Sequence, residues 1–287
     1  MIKEFVSALF SPDIAFLRYA LCIGLLGSIP LGITGSLVVS RNITSIAGAM
    51  AHAVLGGVGF ALYANRVWGI SWLSPLTGAL SGALAAAILI YLASFYAHEK
   101  EDTVISGVWA LGMSIGLLFI AATPGYVDLQ GYLFGNILLA TRMDIAITAV
   151  LTLTITVLTV IFFRPLQAML FDSEFARLRK INVDLLYLLL LILIALTVVL
   201  MVNTAGVILL IALLTLPAAT AKCYVRHLST MMLAGTILAM AEITLGLFAG
   251  YSFNLPVGPA SVIAAVIFYI AALLKNRLFH RRSQKND

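Results

Sequence analysis

Charge is scarce in this chain of 287 residues: Asp, Glu, Lys and Arg make up 10% of it, against 62% hydrophobic residues. A water-soluble domain of this length does not carry that much apolar material, so the composition excludes a soluble globule and indicates a polytopic membrane protein. Cysteine is scarcer still. Cys22 and Cys223 lie in or beside apolar runs with no partner at metal or disulfide spacing, which excludes a disulfide framework and leaves both as packing residues. No Gly-Lys pair occurs anywhere, so the chain has no Gly-x-x-x-x-Gly-Lys-Ser/Thr loop and does not cradle ATP phosphates itself. The first twenty residues contain Glu4 and Asp13 and lack a basic segment followed by a small-residue cleavage site, so a removed signal peptide is not expected.

What the chain does have is a succession of apolar runs, each long enough to cross about 30 Å of hydrocarbon as a helix. Nine are expected, over 16–38, 44–64, 75–96, 104–122, 143–163, 183–202, 204–222, 229–251 and 256–275. The fold class is therefore all-α, a single transmembrane helix bundle over 1–287. Thirteen of the seventeen basic residues then fall in loops on one side or in the tail 276–287 and its approach, and Lys3, Arg18, Arg66 and Arg142 fall on the other. Because cytoplasmic loops are enriched in Lys and Arg, the N-terminus is expected outside and the C-terminus inside. The same bias accounts for the net charge of +5 through lipid headgroups and cytoplasmic partners, with no nucleic-acid partner.

Two connections stand out. Residues 123–142 are too apolar for a plain hydrated loop and are expected to hold a short helix at the outer mouth. Residues 164–182 form the longest charged stretch between spans, with a helix cap at Asp172 followed by Glu, Ala, Leu and Arg. Such a segment suits either a short docking helix or an ordinary basic connector.

Two ionisable residues fall well inside predicted spans, His52 in IAGAMAHAVLGGVGFAL and Glu242 in the span 229–251. A charged group at membrane depth costs about 2.5 to 3.5 kcal/mol on insertion scales, so such groups face a bundle interior or a water-filled path. At matching depth the two would share a cavity, with His52 as metal ligand or relay and Glu242 holding a proton or cation. A structural hydrogen bond serves either residue as well, and more readily Glu242. Gly48, Gly56, Gly57 and Gly59 suit close helix contact, and Pro217 suits a kink. His98-Glu99-Lys100-Glu101-Asp102 lacks the second His of a metalloprotease pattern.

Five stretches taken in order carry a resemblance: GITGSLVVSRNIT leading into AMAHAVLGGV, HEKEDTVISGVWALGMSIGLLFI, DLQGYLFGNIL, FDSEFARLRKINVDLLY and GVILLIALLTLPAATA. The chain resembles, over nearly its whole length, the integral-membrane permeases of bacterial ABC importers for zinc, manganese and iron, of the type II fold. The resemblance implies an inner-membrane permease that passes a divalent metal ion by alternating access and binds no permanent cofactor. It implies two cytoplasmic ATPase subunits that hydrolyse the ATP, an external metal-binding protein, and a second permease chain, identical or different. Phe171 to Lys180 would be the coupling helix, with Phe171, Asp172, Glu174, Ala176 and Arg177 meeting the ATPase, and Glu99 to Thr103 would make another cytoplasmic contact. The family's Asp four residues before the His is Gly48 here, and two further family acids are Asn136 and Asn254. Only His52 is therefore carried over as a metal contact, with Glu242 added from the reading of the spans. The rival readings are an ion-coupled secondary metal transporter working through His52 and Glu242, and an intramembrane hydrolase built on His98 and Glu99.

Overall fold

The computed structural model describes residues 2–10, 14–96, 100–127, 129–135, 137 and 140–283. His98, Glu99 and Asn136 lie outside the described residues. A short amphipathic helix, α1 (Ile2–Phe10), leads into α2 (Ala15–Arg41), whose length follows from an uninterrupted apolar run. Pro30 sits inside α2 and has no N–H for the Leu26 carbonyl, and that carbonyl instead accepts from Thr152 Oγ1 at 3.2 Å. Thr152 belongs to α7 (Arg142–Ile161), so the proline defect is what fixes α7 against α2.

Three helices then pack as a layer: α3 (Ile46–Trp68), α4 (Pro75–Phe95) and α5 (Glu101–Ala122). Proline at the first position and reciprocal capping by Ser74 and Thr77 start α4 where the sequence predicts. Small residues let the three backbones approach. Gly57 faces Gly78 and Gly82, Gly56 faces Gly112, and Gly59 faces Gly116. These pairings rise together between α3 and α5 and run oppositely between α3 and α4, so α3 and α5 are parallel with α4 returning beside them.

The short helix expected at the mouth is α6 (Leu129–Phe134). After α7, α8 (Phe163–Phe171) and α9 (Ser173–Leu178) fill the charged connection, and Asp172 caps α9 by accepting from the Phe175 N–H at 2.9 Å. The chain continues as α10 (Val183–Ala205), α11 (Val207–Lys222), α12 (Leu228–Phe253) and α13 (Val257–Ser283). Interior positions go to α2, α3 and α10, while α4, α5, α7 and α13 form the perimeter and expose residues such as Leu111, Leu118, Leu153 and Ile263.

Among the described residues, eight helices are long and apolar enough to cross a membrane. The ninth expected crossing, 204–222, is shorter than predicted. It is the sixteen-residue α11, about 24 Å long against about 30 Å of hydrocarbon. The cause is Gly206, whose φ of 78° ends α10 at Ala205 and turns the chain within one residue. Helix α6 packs against α11 and α10.

The ends of the helices define two faces. On one, Arg41 at the end of α2 pairs with Glu101 at the start of α5, with Nη2 to Oε1 at 2.8 Å, and lies 4.6 Å over the Tyr187 ring near the start of α10. Lys222 at the end of α11 donates to the Val39 carbonyl there, and Lys275 in α13 lies 5.3 Å over the Tyr224 ring. On the opposite face Arg142 donates to Tyr19 Oη at 2.9 Å and Arg66 to the Pro124 carbonyl at 2.8 Å. Helix α2 thus starts on the face opposite to the one where α13 ends.

The close approach of α3 and α5 separates two glycines of α5. A Cβ on Gly112 would meet the Ala53 backbone at 2.6 Å, whereas one on Gly107 meets nothing within 4 Å. Gly112→Ala is expected to cost about 1 to 3 kcal/mol. Gly107→Ala, gaining helix propensity, is expected to be neutral or stabilising. Thermal unfolding of the two variants in detergent checks both.

Candidate functional site

His52 sits on the buried side of α3, 6% exposed, six residues from the start of the helix. Its ring stacks on Trp109 of α5, with centroids 5.3 Å apart and planes 26° from parallel, and its Nδ1 has no hydrogen-bond partner. Gly48 lies one turn earlier on the same face of α3, where a second side chain would converge with His52 on a common ligand. That space is filled. A Cβ on Gly48 would run into Cε3, Cζ3 and Cη2 of Trp109, the six-membered ring of the indole. Glycine at position 48 and tryptophan at position 109 are therefore one feature, a notch in α3 and the ring that occupies it.

Beside this pair, between α3, α4 and α5, runs a groove of about 330 Å³ lined by Ala53, Gly56, Gly82, Leu111 and Gly112 among others. Its walls are almost wholly apolar, so beyond the Ser81 hydroxyl it offers a cation nothing. Among the described residues no group of three or more His, Cys, Asp or Glu stands close enough to hold a metal.

Glu242 is completely buried in α12, and neither carboxyl oxygen has a hydrogen-bond partner. Burial of a carboxylate without a partner is costly, so the side chain is a further polar irregularity of the bundle. The structure does not bring it to His52. Helix α12 packs mainly on α2, α13 and α11, whereas α3 packs on α5, α4, α11 and α10. Glu242 lies fourteen residues into α12 and His52 six residues into α3, both counted from the Arg41 face, which places them about 21 and about 9 Å deep. The expected match in depth fails because α12 enters the bundle well before the carboxyl, while the imidazole comes early in its helix.

The segment 163–178 projects at the Arg41 face. Phe171, Phe175 and Leu178 are 67%, 49% and 84% exposed, an unusual display of large apolar groups in a charged connection. Asp172 and Glu174 are exposed beside them, and Asp172 is spent on the cap. Ala176 is completely buried and seats the helix on the bundle. Arg177 pairs with Asp184 at the start of α10, Nη2 to Oδ1 at 2.8 Å, and so ties α9 to that helix. One turn of α10 connects this tie to the Arg41 cluster: Tyr187, three residues beyond Asp184, is completely buried under Arg41 and beside Phe95.

Sequence reasoning singled out neither Trp109 nor Tyr187, counted Arg41 only for its charge, and had Glu101 only within the stretch Glu99 to Thr103. A tryptophan in an apolar run and an arginine at a helix end carry no signal of their own, and only the fold pairs them. Asn254 has a local reason: it caps α12 at φ 55°, a conformation Asn tolerates better than most residues.

The notch and ring generate a thermodynamic expectation. Gly48→Ala should cost about 1 to 3 kcal/mol by overpacking. In a Trp109→Ala background the same change should be neutral or favourable. Thermal melts of the four proteins of this cycle measure that coupling, and its absence would mean that the ring does not fill the notch.

Comparison with known proteins covers most of the chain. Residues 13–276 match the model of the ABC 3 transport family. A probable metal transport system membrane protein of Chlamydia muridarum is 38% identical over 251 residues, covering 87% of this chain and 85% of that protein. The manganese import system permease protein ScaB of Streptococcus gordonii is 31% identical, covering 98% and 99%. Among solved structures, PsaBC from Streptococcus pneumoniae in complex with Fab has a chain that aligns with a TM-score of 0.83 at 32% identity, covering 95% of each chain. An inward-facing putative metal-chelate type ABC transporter aligns at 0.71 and 15% identity and shares the fold.

Proposed function

This chain belongs to the ABC 3 transport family, and from that membership we infer that it is the membrane-spanning permease of an ATP-driven importer of metal ions. The observation that carries the inference is the match in sequence, over most of the chain, to a permease named for manganese import and to a membrane protein named for metal transport, with the fold shared over 95% of the chain with PsaBC. ATP is hydrolysed on separate cytoplasmic subunits, two to a complex. An external binding protein delivers the divalent ion, and a second permease chain completes the membrane unit. The Arg41 face is cytoplasmic, as the Lys and Arg bias supports.

On that assignment each part of the structure has a task. The exposed Phe171, Phe175 and Leu178 seat α8 and α9 in a cleft of the ATPase. Arg177 passes their displacement to α10 through Asp184, and Tyr187 passes it to Arg41 and Glu101, the ends of α2 and α5. Helix α5 carries Trp109, which leans on His52. Nucleotide-driven movement of α9 thus reaches the imidazole through packed and ion-paired groups that are contiguous from end to end. The ion passes His52 when α5 shifts against α3, and no covalent step is involved.

The test is uptake of a divalent radioisotope into proteoliposomes holding the complete importer. Uptake should require ATP and the ATPase, and Phe175→Asp should lower it at least about tenfold while ATPase no longer copurifies. The melting temperature of the permease should not move, because exposed substitutions of this kind stay within about 0.5 kcal/mol. Uptake by the permease alone, or full activity of Phe175→Asp, would overturn the assignment.

A further inference from the structure

His52 faces a wall where a coordination partner would be expected. A divalent ion held by one imidazole needs further donors, and position 48, one turn before His52, is one from which α3 itself could supply one, Ala49, Leu55 and Gly56 at the other neighbouring positions carrying none. The indole of Trp109 stands there, against the bare backbone of Gly48 and stacked on the His52 ring. The groove alongside adds the Ser81 hydroxyl but no imidazole, thiol or carboxylate, and no cluster of three or more His, Cys, Asp or Glu approaches among the described residues. Position 109 therefore decides which chemistry this level of the bundle presents. With tryptophan it offers nitrogen and an aromatic wall; without it, position 48 has room for an oxygen ligand.

We propose that the Trp109 ring, seated in the notch at Gly48, sets cargo preference in this permease together with that glycine. By excluding any side chain from position 48 it leaves His52 as the sole donor on this face of α3. The route then favours ions that bind imidazole well, of the zinc and ferrous iron class, over manganese, which prefers carboxylate and water oxygens. The proposal rests on the reading that His52 lines the ion's route, and its test separates the two.

The protein for the test is the full-length permease in detergent with Trp68→Phe and Trp72→Phe, which leaves Trp109 as its only tryptophan. Zinc should quench or shift the Trp109 emission, His52→Ala should abolish that response, and manganese at the same concentration should produce none. In the otherwise native chain, Gly48→Asp combined with Trp109→Ala should bind manganese at least about tenfold more tightly than the native chain does, read from loss of the free-ion electron paramagnetic resonance signal. Trp109→Ala alone should not. A response to manganese as strong as that to zinc overturns the proposal, as does a folded double variant with unchanged manganese affinity. If the double variant does not accumulate, the fluorescence titration decides. A zinc response that survives His52→Ala instead overturns the reading of His52 as an ion contact.

Discussion

The contact on which the architecture turns is the glycine-lined seam between α3 and α5. Backbones can approach that closely only where side chains are missing, and Gly56, Gly59, Gly112 and Gly116 supply the gaps from both sides. In a bilayer there is little hydrophobic drive to hold helices together, so close packing of this sort is what determines which helices are neighbours. The seam brings Trp109 onto His52, and Gly48 gives the indole a place to lie. A wider separation would leave the imidazole facing an unfilled space and would give a second ligand room. The character of the candidate site is thus a consequence of helix packing, settled several residues away from the histidine itself.

The same seam links the middle of the bundle to its charged face. Helix α5 begins at Glu101, which is held by Arg41, and Arg41 lies over Tyr187 of α10, the helix that follows α9. A half-buried ion pair stacked on a buried aromatic ring keeps its geometry better than an exposed pair, whose members are free to rotate away. Helix α9 is tied to the same helix through Arg177 and Asp184. Contacts therefore run from the exposed apolar groups of α8 and α9 to the buried histidine, with the exposed Arg177–Asp184 pair as their loosest step. Glu242 lies off that path, in the packing of α12, and has no role in it.

Much of the fold was legible because it depends on signals that are local in the chain. The spans, α4 among them, followed from uninterrupted apolar runs. Asp172 was recognisable as a cap, and the excess apolarity of 123–142 announced α6. The break between α10 and α11 was marked by Asn203 and Thr204, but the start of α11 was set a few residues too early, because the turn is made by Gly206 and an apolar run alone does not say which residue leaves the helix. His52 stood out because a titratable group in such a run is costly wherever it lies. Trp109 did not stand out, because its significance is the shape of a gap in another helix 61 residues earlier in the chain, which only the seam reveals. The relative depth of His52 and Glu242 was equally hidden, since it depends on where each helix enters the bundle.

What all of this comes to is a claim about one imidazole: that the cargo ion passes it. The most direct measurement is an anomalous difference map from the complete importer, trapped with its metal ion inside the permease. The account predicts a peak about 2.0 to 2.1 Å from a ring nitrogen of His52, with the Trp109 ring displaced from the stacked position it holds here. A peak at another level of the bundle, with the histidine still covered by the indole, would contradict it.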